Sequence, residues 1–429
     1  MLPSKLRNIL ANADNRDLLL SSAFAFVIRV FGAISGFAAT FFIARHLGAS
    51  ESGYYFLAFS VVTVISAFSR AGLDNTVLRF TGSAPDLAVN TVLKSLLLIL
   101  LLSSFSTLVL YFGAPYFAVA LFSKPELAPV LKFMSLGVIG LSTLTISAMA
   151  LQGLIRVSAS IFVLNIAVNL LLILSLYVFV EMSAEELAKT YAVSSFVVGV
   201  VGFGLFYVFR PRIAKSAISW RELFASCGPL WVVTIMSQMV QWSGQFIAGA
   251  YVSSEALAQL AVAQRTAMLS SFILMAVNLV VAPRFAKLYR DNDLAQLERL
   301  AIKSVKLISL FALPVIGVML FFPSSLMSLF GHEFIEGAAL LRILSIGQFI
   351  GAMTGSVGLL LVMSGHERDM RNVAFVSGVL AIFLSWSLTA QFNSIGAAIG
   401  TAISVAVQSL LAVYFVKKRL GFNTLAVWR

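Results

Sequence analysis

The sequence predicts an all-α integral membrane protein of twelve transmembrane helices, and three observations carry that prediction. Hydrophobic residues fill 60% of the 429 positions and charged residues only 11%, which cannot be laid out as an apolar core under a polar surface. The apolar residues gather into stretches of the roughly 20 residues a helix needs to cross about 30 Å of hydrocarbon. All eighteen Asp and Glu fall between those stretches or at their ends, as expected where an ionised side chain at membrane depth is expensive.

Charges, prolines and glycines delimit the spans. The leader carries Lys5, Arg7, Asp14, Arg16 and Asp17. Span 18–44 follows; it is too long for a signal peptide and lacks a small-residue cleavage site, so it reads as a retained first helix. Next come 53–71, 88–112, 130–152, 159–180 and 187–209, then 227–250, 258–283, 301–322, 338–363, 372–390 and 395–416. An even number places both termini on one side. On that side lie 21 Lys and Arg against five opposite, so the positive-inside rule makes both termini cytoplasmic. The same loops account for the net charge of +12 without nucleic acid.

The basic connection 210–226 separates residues 1–209 from 210–429, six spans each. Gln152–Arg156 (QGLIR) closes the fourth span as Ser364–Arg368 (SGHER) closes the tenth, and Gly48–Phe59 loosely parallels Tyr251–Val262. Six is even, so the halves share an orientation, a parallel pseudo-repeat between whose members transport sites usually lie.

Arg29 lies eleven residues past Leu18, about 16 Å along a helix and near mid-membrane. With no acid at that depth it is a candidate anion ligand; the alternative is a guanidinium tied to carbonyls or amides of another helix. Gly32 and Gly36 share its face and can admit a partner helix or a ligand. Arg265, about 10 Å into the eighth span, can serve the same ligand, reach the interface, or pair with Glu255. Gln238, Gln241 and Gln245 with Trp242 give the seventh span a polar face, and Asn165, Asn169 and Asn278 add amides in the fifth and eighth. These are either interhelical hydrogen bonds or cavity walls; amides beside an indole suit a hydroxyl-rich ligand. Arg70, Arg79 and Lys94 are candidates for a cytoplasmic rim or interfacial anchors.

Several chemistries are excluded. Cys227 is the single cysteine, and His46, His332 and His366 sit apart, so no metal set is expected. There is no P-loop. No cofactor is expected.

Phe41–Ser60 (FFIARHLGASESGYYFLAFS) and Ser69–Gly82 (SRAGLDNTVLRFTG) resemble the polysaccharide transporter branch, which includes the O-antigen flippases, of the multidrug/oligosaccharidyl-lipid/polysaccharide (MOP) flippase superfamily. The matching positions are Arg45, Leu47, Gly48, Glu51, Gly53, Tyr54, Gly72, Leu73 and Arg79; Ser52 stands where Phe is usual. The resemblance extends to length, span number and the SGHER turn, so it covers most of the chain. It implies two six-helix lobes in a V around a central cavity and alternating access. It also implies a substrate: undecaprenyl-pyrophosphate-linked oligosaccharides moved to the periplasmic leaflet of a bacterial inner membrane for O-antigen, capsule or exopolysaccharide assembly. Membrane lipids, polysaccharide polymerase and chain-length machinery are the partners it suggests. On this reading Arg29 and Arg265 hold the pyrophosphate, and Gln238, Gln241, Trp242 and Gln245 face the sugars. The competing reading, a cation-coupled multidrug exporter of the same superfamily, calls for membrane-embedded carboxylates that this sequence lacks at mid-depth. A membrane enzyme calls for a periplasmic domain larger than the roughly 113–129 connection can hold.

Overall fold

The computed structural model describes residues 13–179, 181–210 and 217–426, with side chains from Val27 onward except those of Pro85, Pro229 and Leu279. The leader charges Lys5 and Arg7, the linker charges Arg212 and Lys215, and the C-terminal Arg429 lie outside the described residues. Every regular element among the described residues is helical, and ten stretches are long and apolar enough to cross a membrane.

Two of those ten are double length and carry an internal break. Helix α1, Ala13–Arg70, contains Gly48 at φ 69°, ψ −179°, a conformation essentially reserved for glycine. It separates the predicted first and second spans without an intervening loop. The last helix, Glu367–Leu420, breaks at Asn393, φ 52°, ψ −135°, inside the gap between the predicted eleventh and twelfth spans. Sequence cutting expected two loops at these places; each is a single residue.

Between these long helices the order is α2 (Leu73–Ser83), α3 (Pro85–Tyr116, continued by a π turn Phe117–Leu121), α4 (Leu127–Ser135), α5 (Gly137–Gly153), α6 (Val157–Ile161), a π turn Phe162–Ile166, α7 (Ala167–Val178) and α8 (Ala184–Phe209). The second half comprises α9 (Trp220–Tyr251), α10 (Ser254–Ala267), α11 (Leu269–Arg290), α12 (Leu294–Phe321), α13 (Pro323–Ser328), a 3-10 turn His332–Gly337, α14 (Ala338–Thr354), α15 (Val357–Met363) and α16 (Glu367–Leu420). Local sequence explains the starts. Ser183 with Glu186 and Ser219 with Glu222 form capping boxes at α8 and α9, in which side chains satisfy backbone donors that a first turn leaves free.

The QGLIR and SGHER turns do correspond, but in a different register. Amides 154, 155 and 156 donate to carbonyls 150, 152 and 151; amides 364, 365 and 366 donate to 360, 362 and 361. The left-handed residue is Ile155, φ 62°, in one turn and Gly365, φ 74°, in the other. Backbone geometry therefore equates Ile155 with Gly365, two positions away from the Gly153–Gly365 match suggested by residue identity.

One buried cluster crosses between the halves, joining Tyr55, Phe56 and Leu57 of α1 to Leu257, Ala258 and Val262 of α10. At the Gly48 end this seam is closed by short polar contacts. Ser50 and Ser254 hydroxyls lie 3.2 Å apart, the Ala49 amide donates to Glu333 Oε2 at 2.8 Å, and Lys124 Nζ donates to the Gly249 carbonyl at 2.7 Å. Burial pushes the Lys124 ammonium down from its ordinary pKa, with Glu255 partly opposing the shift.

Candidate functional site

A cavity of about 260 Å³ lies on the seam, bounded by Phe59 of α1, Asn165 and Asn169 of the fifth predicted span, Tyr191 of α8, Trp242 of α9 and Arg265 of α10. Its chemistry centres on Arg265. The guanidinium carbon stands 4.6 Å from the ring centre of Phe56, 4.8 Å from Phe59 and 5.8 Å from Trp242. Its Nε and Nη2 are closed off from solvent and meet no acceptor among the described residues. Each cation–π contact offsets about 0.5–2 kcal/mol of desolvation, yet ring faces do not replace oxygen acceptors. Arg265 borders a cavity lined by no Asp or Glu, and a guanidinium's planar fork can bind phosphate oxygens, although Nε and Nη2 must first be uncovered to do so. Among the described residues, Arg265 makes no ion pair with Glu255.

Arg29 is half-buried. It shares a helix face with Ala33 and Gly36, which do line the cavity; Arg29 stands one turn before them. The glycine face beside it admits a helix: a Cβ on Gly32 would lie 3.2 Å from Asn165 Cβ. The Asn165 carbonyl, inside the π turn, accepts from Asn169 Nδ2 at 2.7 Å and from Ser35 Oγ at 3.0 Å. Both Asn residues border the cavity, but the bond to α1 runs through the Asn165 backbone carbonyl, and the Asn169 amide bonds within its own helix. Single π turns inside α-helices are frequent at functional sites, and this one had no sequence signal.

The glutamine stripe divides among three surroundings. Gln245 is 1% exposed and donates to the Phe56 carbonyl at 2.6 Å, so it fastens the halves together. Gln241 and Asn278 line a second cavity, of about 740 Å³, inside the second half. Gln238 is half-buried and lines neither. Among the rim candidates, Arg70 is 6% exposed, donates to Ser66 Oγ at 2.7 Å and pairs with Asp74 at 3.4 Å. Lys94 donates to the Ile218 carbonyl at 2.6 Å and sits over the Trp220 ring. Arg79 is exposed.

A third space, an apolar groove of about 1110 Å³, separates Val30, Ile34 and Phe37 of α1 from Phe272 and Val280 of α11, and Arg284 and Lys303 also border it. The halves meet at the Gly48 end, and they meet again beyond the far end of α1, where the Thr76 and Ser226 hydroxyls lie 3.3 Å apart; the apolar groove is a lateral cleft between α1 and α11.

Sequence reasoning missed Phe56, Phe59 and Tyr191. The first two sit in the Gly-x-Tyr segment, where their spacing of three residues signals one helix face.

Residues 42–339 match the model of a family described as polysaccharide biosynthesis protein, more than half of the chain. The chain belongs to that family. This polysaccharide biosynthesis protein is 24% identical over 407 residues to the probable low-salt glycan biosynthesis flippase Agl15 of Haloferax volcanii, covering 93% of this chain and 83% of that one. Its fold is similar to that of the lipid II flippase MurJ in an inward closed conformation, at a TM-score of 0.74 and 15% identity over 91% of this chain and 87% of that one. It is also similar to an inward-facing MATE family multidrug resistance transporter of the MOP superfamily, at 0.72 and 15% over 92% and 98%. The relatives of this family member are flippases and transporters rather than enzymes.

Proposed function

We propose that this protein is a flippase that carries undecaprenyl-pyrophosphate-linked oligosaccharides from the cytoplasmic to the periplasmic leaflet of a bacterial inner membrane, for O-antigen, capsule or exopolysaccharide assembly. The observation that carries the proposal is Arg265, a shielded cation with free donors on the seam between the halves. The adjoining apolar groove suits the prenyl chain, and Arg29, one turn along α1, can reach the same anion.

The proposed topology cuts α1 at Gly48 and α16 at Asn393, which turns ten spans into twelve, six in each lobe, 1–209 and 210–429, with both termini cytoplasmic. The shared turn geometry at Ile155 and Gly365 supports a parallel repeat. Access then alternates by opening the Gly48 end while closing the gap between α1 and α11. Cation-coupled drug export is disfavoured because no Asp or Glu lines any of the three spaces, and Asp74 is paired with Arg70.

Complementation of a deletion strain tests this. Arg265→Ala abolishes surface polysaccharide, Arg265→Lys restores part of it, and the deletion leaves drug susceptibility unchanged. Normal polysaccharide from the Ala variant would overturn the assignment.

A further inference from the structure

The lateral groove between α1 and α11 is charged at one end only. Along α11 it runs from Leu269 to Arg284, fifteen residues or about 22 Å. That is the depth of one leaflet with its headgroups, half of about 40–45 Å. The side chains bordering it are apolar except for Ser304, Arg284 and Lys303. The Ser304 hydroxyl donates to the Ala301 carbonyl at 2.7 Å, so polar recognition falls to the two cations.

Both cations stand near the turn that joins α11 to α12. Arg284 lies seven residues before Asp291 and Lys303 ten residues after Asp293, about 10 and 15 Å along their helices. Both are exposed. Among the described residues neither forms an ion pair, and no Asp or Glu borders the groove. Asp293 accepts instead from the Gln296 backbone and side-chain amides, at 3.0 and 2.6 Å. At the other end, Ala33, Phe37, Leu269 and Phe272 border both the groove and the Arg265 cavity.

We infer that Arg284 and Lys303 form a loading site for the pyrophosphate head of a polyprenyl lipid in the cytoplasmic leaflet, its chain lying in the groove; the inference rests on the substrate and topology proposed above. On that topology the α11–α12 turn is cytoplasmic, which puts both cations at the headgroup level of the leaflet from which substrate is drawn. Basic side chains that only anchor a helix need no apolar channel running inward from them; these two share one. Their two charges match a pyrophosphate that bridges lipid and sugar, whereas the single phosphodiester of a membrane phospholipid would neutralise only one. Nineteen residues of α10 and α11, about 28 Å, separate Arg284 from Arg265. A head held at this mouth has therefore not yet entered the seam.

Photo-cross-linking tests this. Purified full-length protein carries p-benzoylphenylalanine at Val280, a groove position 50% exposed and one turn from Arg284. The nanodiscs are phosphatidylcholine with a small fraction of undecaprenyl pyrophosphate or of uncharged undecaprenol. The pyrophosphate should be captured about tenfold more than undecaprenol, the scale of two interfacial charge contacts. Arg284→Gln with Lys303→Gln should remove that advantage and leave undecaprenol capture unchanged, itself evidence that the groove is intact. Arg284→Lys with Lys303→Arg should keep most of it. Arg265→Ala, which abolishes transport on the reading above, should still capture the pyrophosphate. Equal capture of the two lipids, or loss of the advantage in Arg265→Ala, would show that no separate loading site exists and leave the Arg265 reading standing. Displacement of the pyrophosphate by an equal amount of phosphatidylglycerol would make this a site for anionic lipids at large and overturn the inference. If neither polyprenyl lipid is captured, the prenyl reading of the groove fails and the inference falls with it.

Discussion

Gly53→Ala should loosen the seal at the Gly48 end. The Cβ it adds would stand 2.0 Å from the Ser254 carbonyl oxygen and 2.6 Å from its carbon, whereas real Cβ contacts essentially never fall below 3.0 Å. Both partners are backbone in packed helices, so neither can rotate away. α1 and α10 must separate locally by about 1 Å. Overpacking of this kind costs about 1–3 kcal/mol, and that cost is carried only by the sealed arrangement. It translates into an opening equilibrium shifted about 5- to 150-fold. Cross-linking reads it directly. In a Cys227→Ala background, cysteines at positions 50 and 254 replace hydroxyls 3.2 Å apart, near enough for a disulfide after a small adjustment. Oxidation in membranes should be several-fold slower when Gly53→Ala is added, with the size-exclusion profile of the parent confirming the fold. Equal rates with and without the substitution would show that this contact does not set the seal.

Three further outcomes are expected. Glu333→Ala removes the carboxylate that accepts from the Ala49 amide at the start of the second arm of α1; loss of about 1 kcal/mol of capping should raise the labelling rate of a cysteine at Ser50 about fivefold, and an unchanged rate refutes the latch. Ile155 is 86% exposed and left-handed at φ 62°, a strain of about 1–2 kcal/mol for a β-branched residue. Ile155→Gly should therefore raise the apparent melting temperature by about 1–2 °C, and a fall would show that the side chain contributes packing. Arg419 grips Asp369 with two hydrogen bonds, of 2.6 and 3.0 Å, joining the two ends of α16. Arg419→Ala and Asp369→Asn should each lower thermal stability, and the double variant should lose less than their sum; strict additivity would remove the pair from the account.

The all-helical, membrane-crossing class was legible because it depends on composition along one helix at a time. Arg265 stood among the candidates, but its aromatic surroundings were not legible, because depth along a helix says nothing of what stands opposite. Its cage comes from Phe56 and Phe59, more than 200 positions earlier. Helical spacing puts Gln238, Gln241 and Gln245 on one face by sequence, but seven residues also advance about 10 Å. That is enough to carry the stripe from a half-buried position past a cavity into the seam. The breaks at Gly48 and Asn393 were hidden for another reason. One residue with unusual torsions turns the chain without the polar loop that hydropathy reads.

On the proposed cycle, the Arg265 charge, with no acid lining its cavity, would also make transport responsive to voltage. On the proposed topology, with the Gly48 end outward, opening toward the α1–α11 groove would place Arg265 at the interior potential, and opening the Gly48 end would place it at the exterior one. A unit charge crossing the full field is worth about 2.3 kcal/mol per 100 mV. An interior-negative potential would therefore draw the empty carrier back to its loading state, while a bound pyrophosphate, with more negative charge than one guanidinium carries, would reverse the sign and favour the outward turn. The membrane potential becomes a return spring that needs no coupling ion.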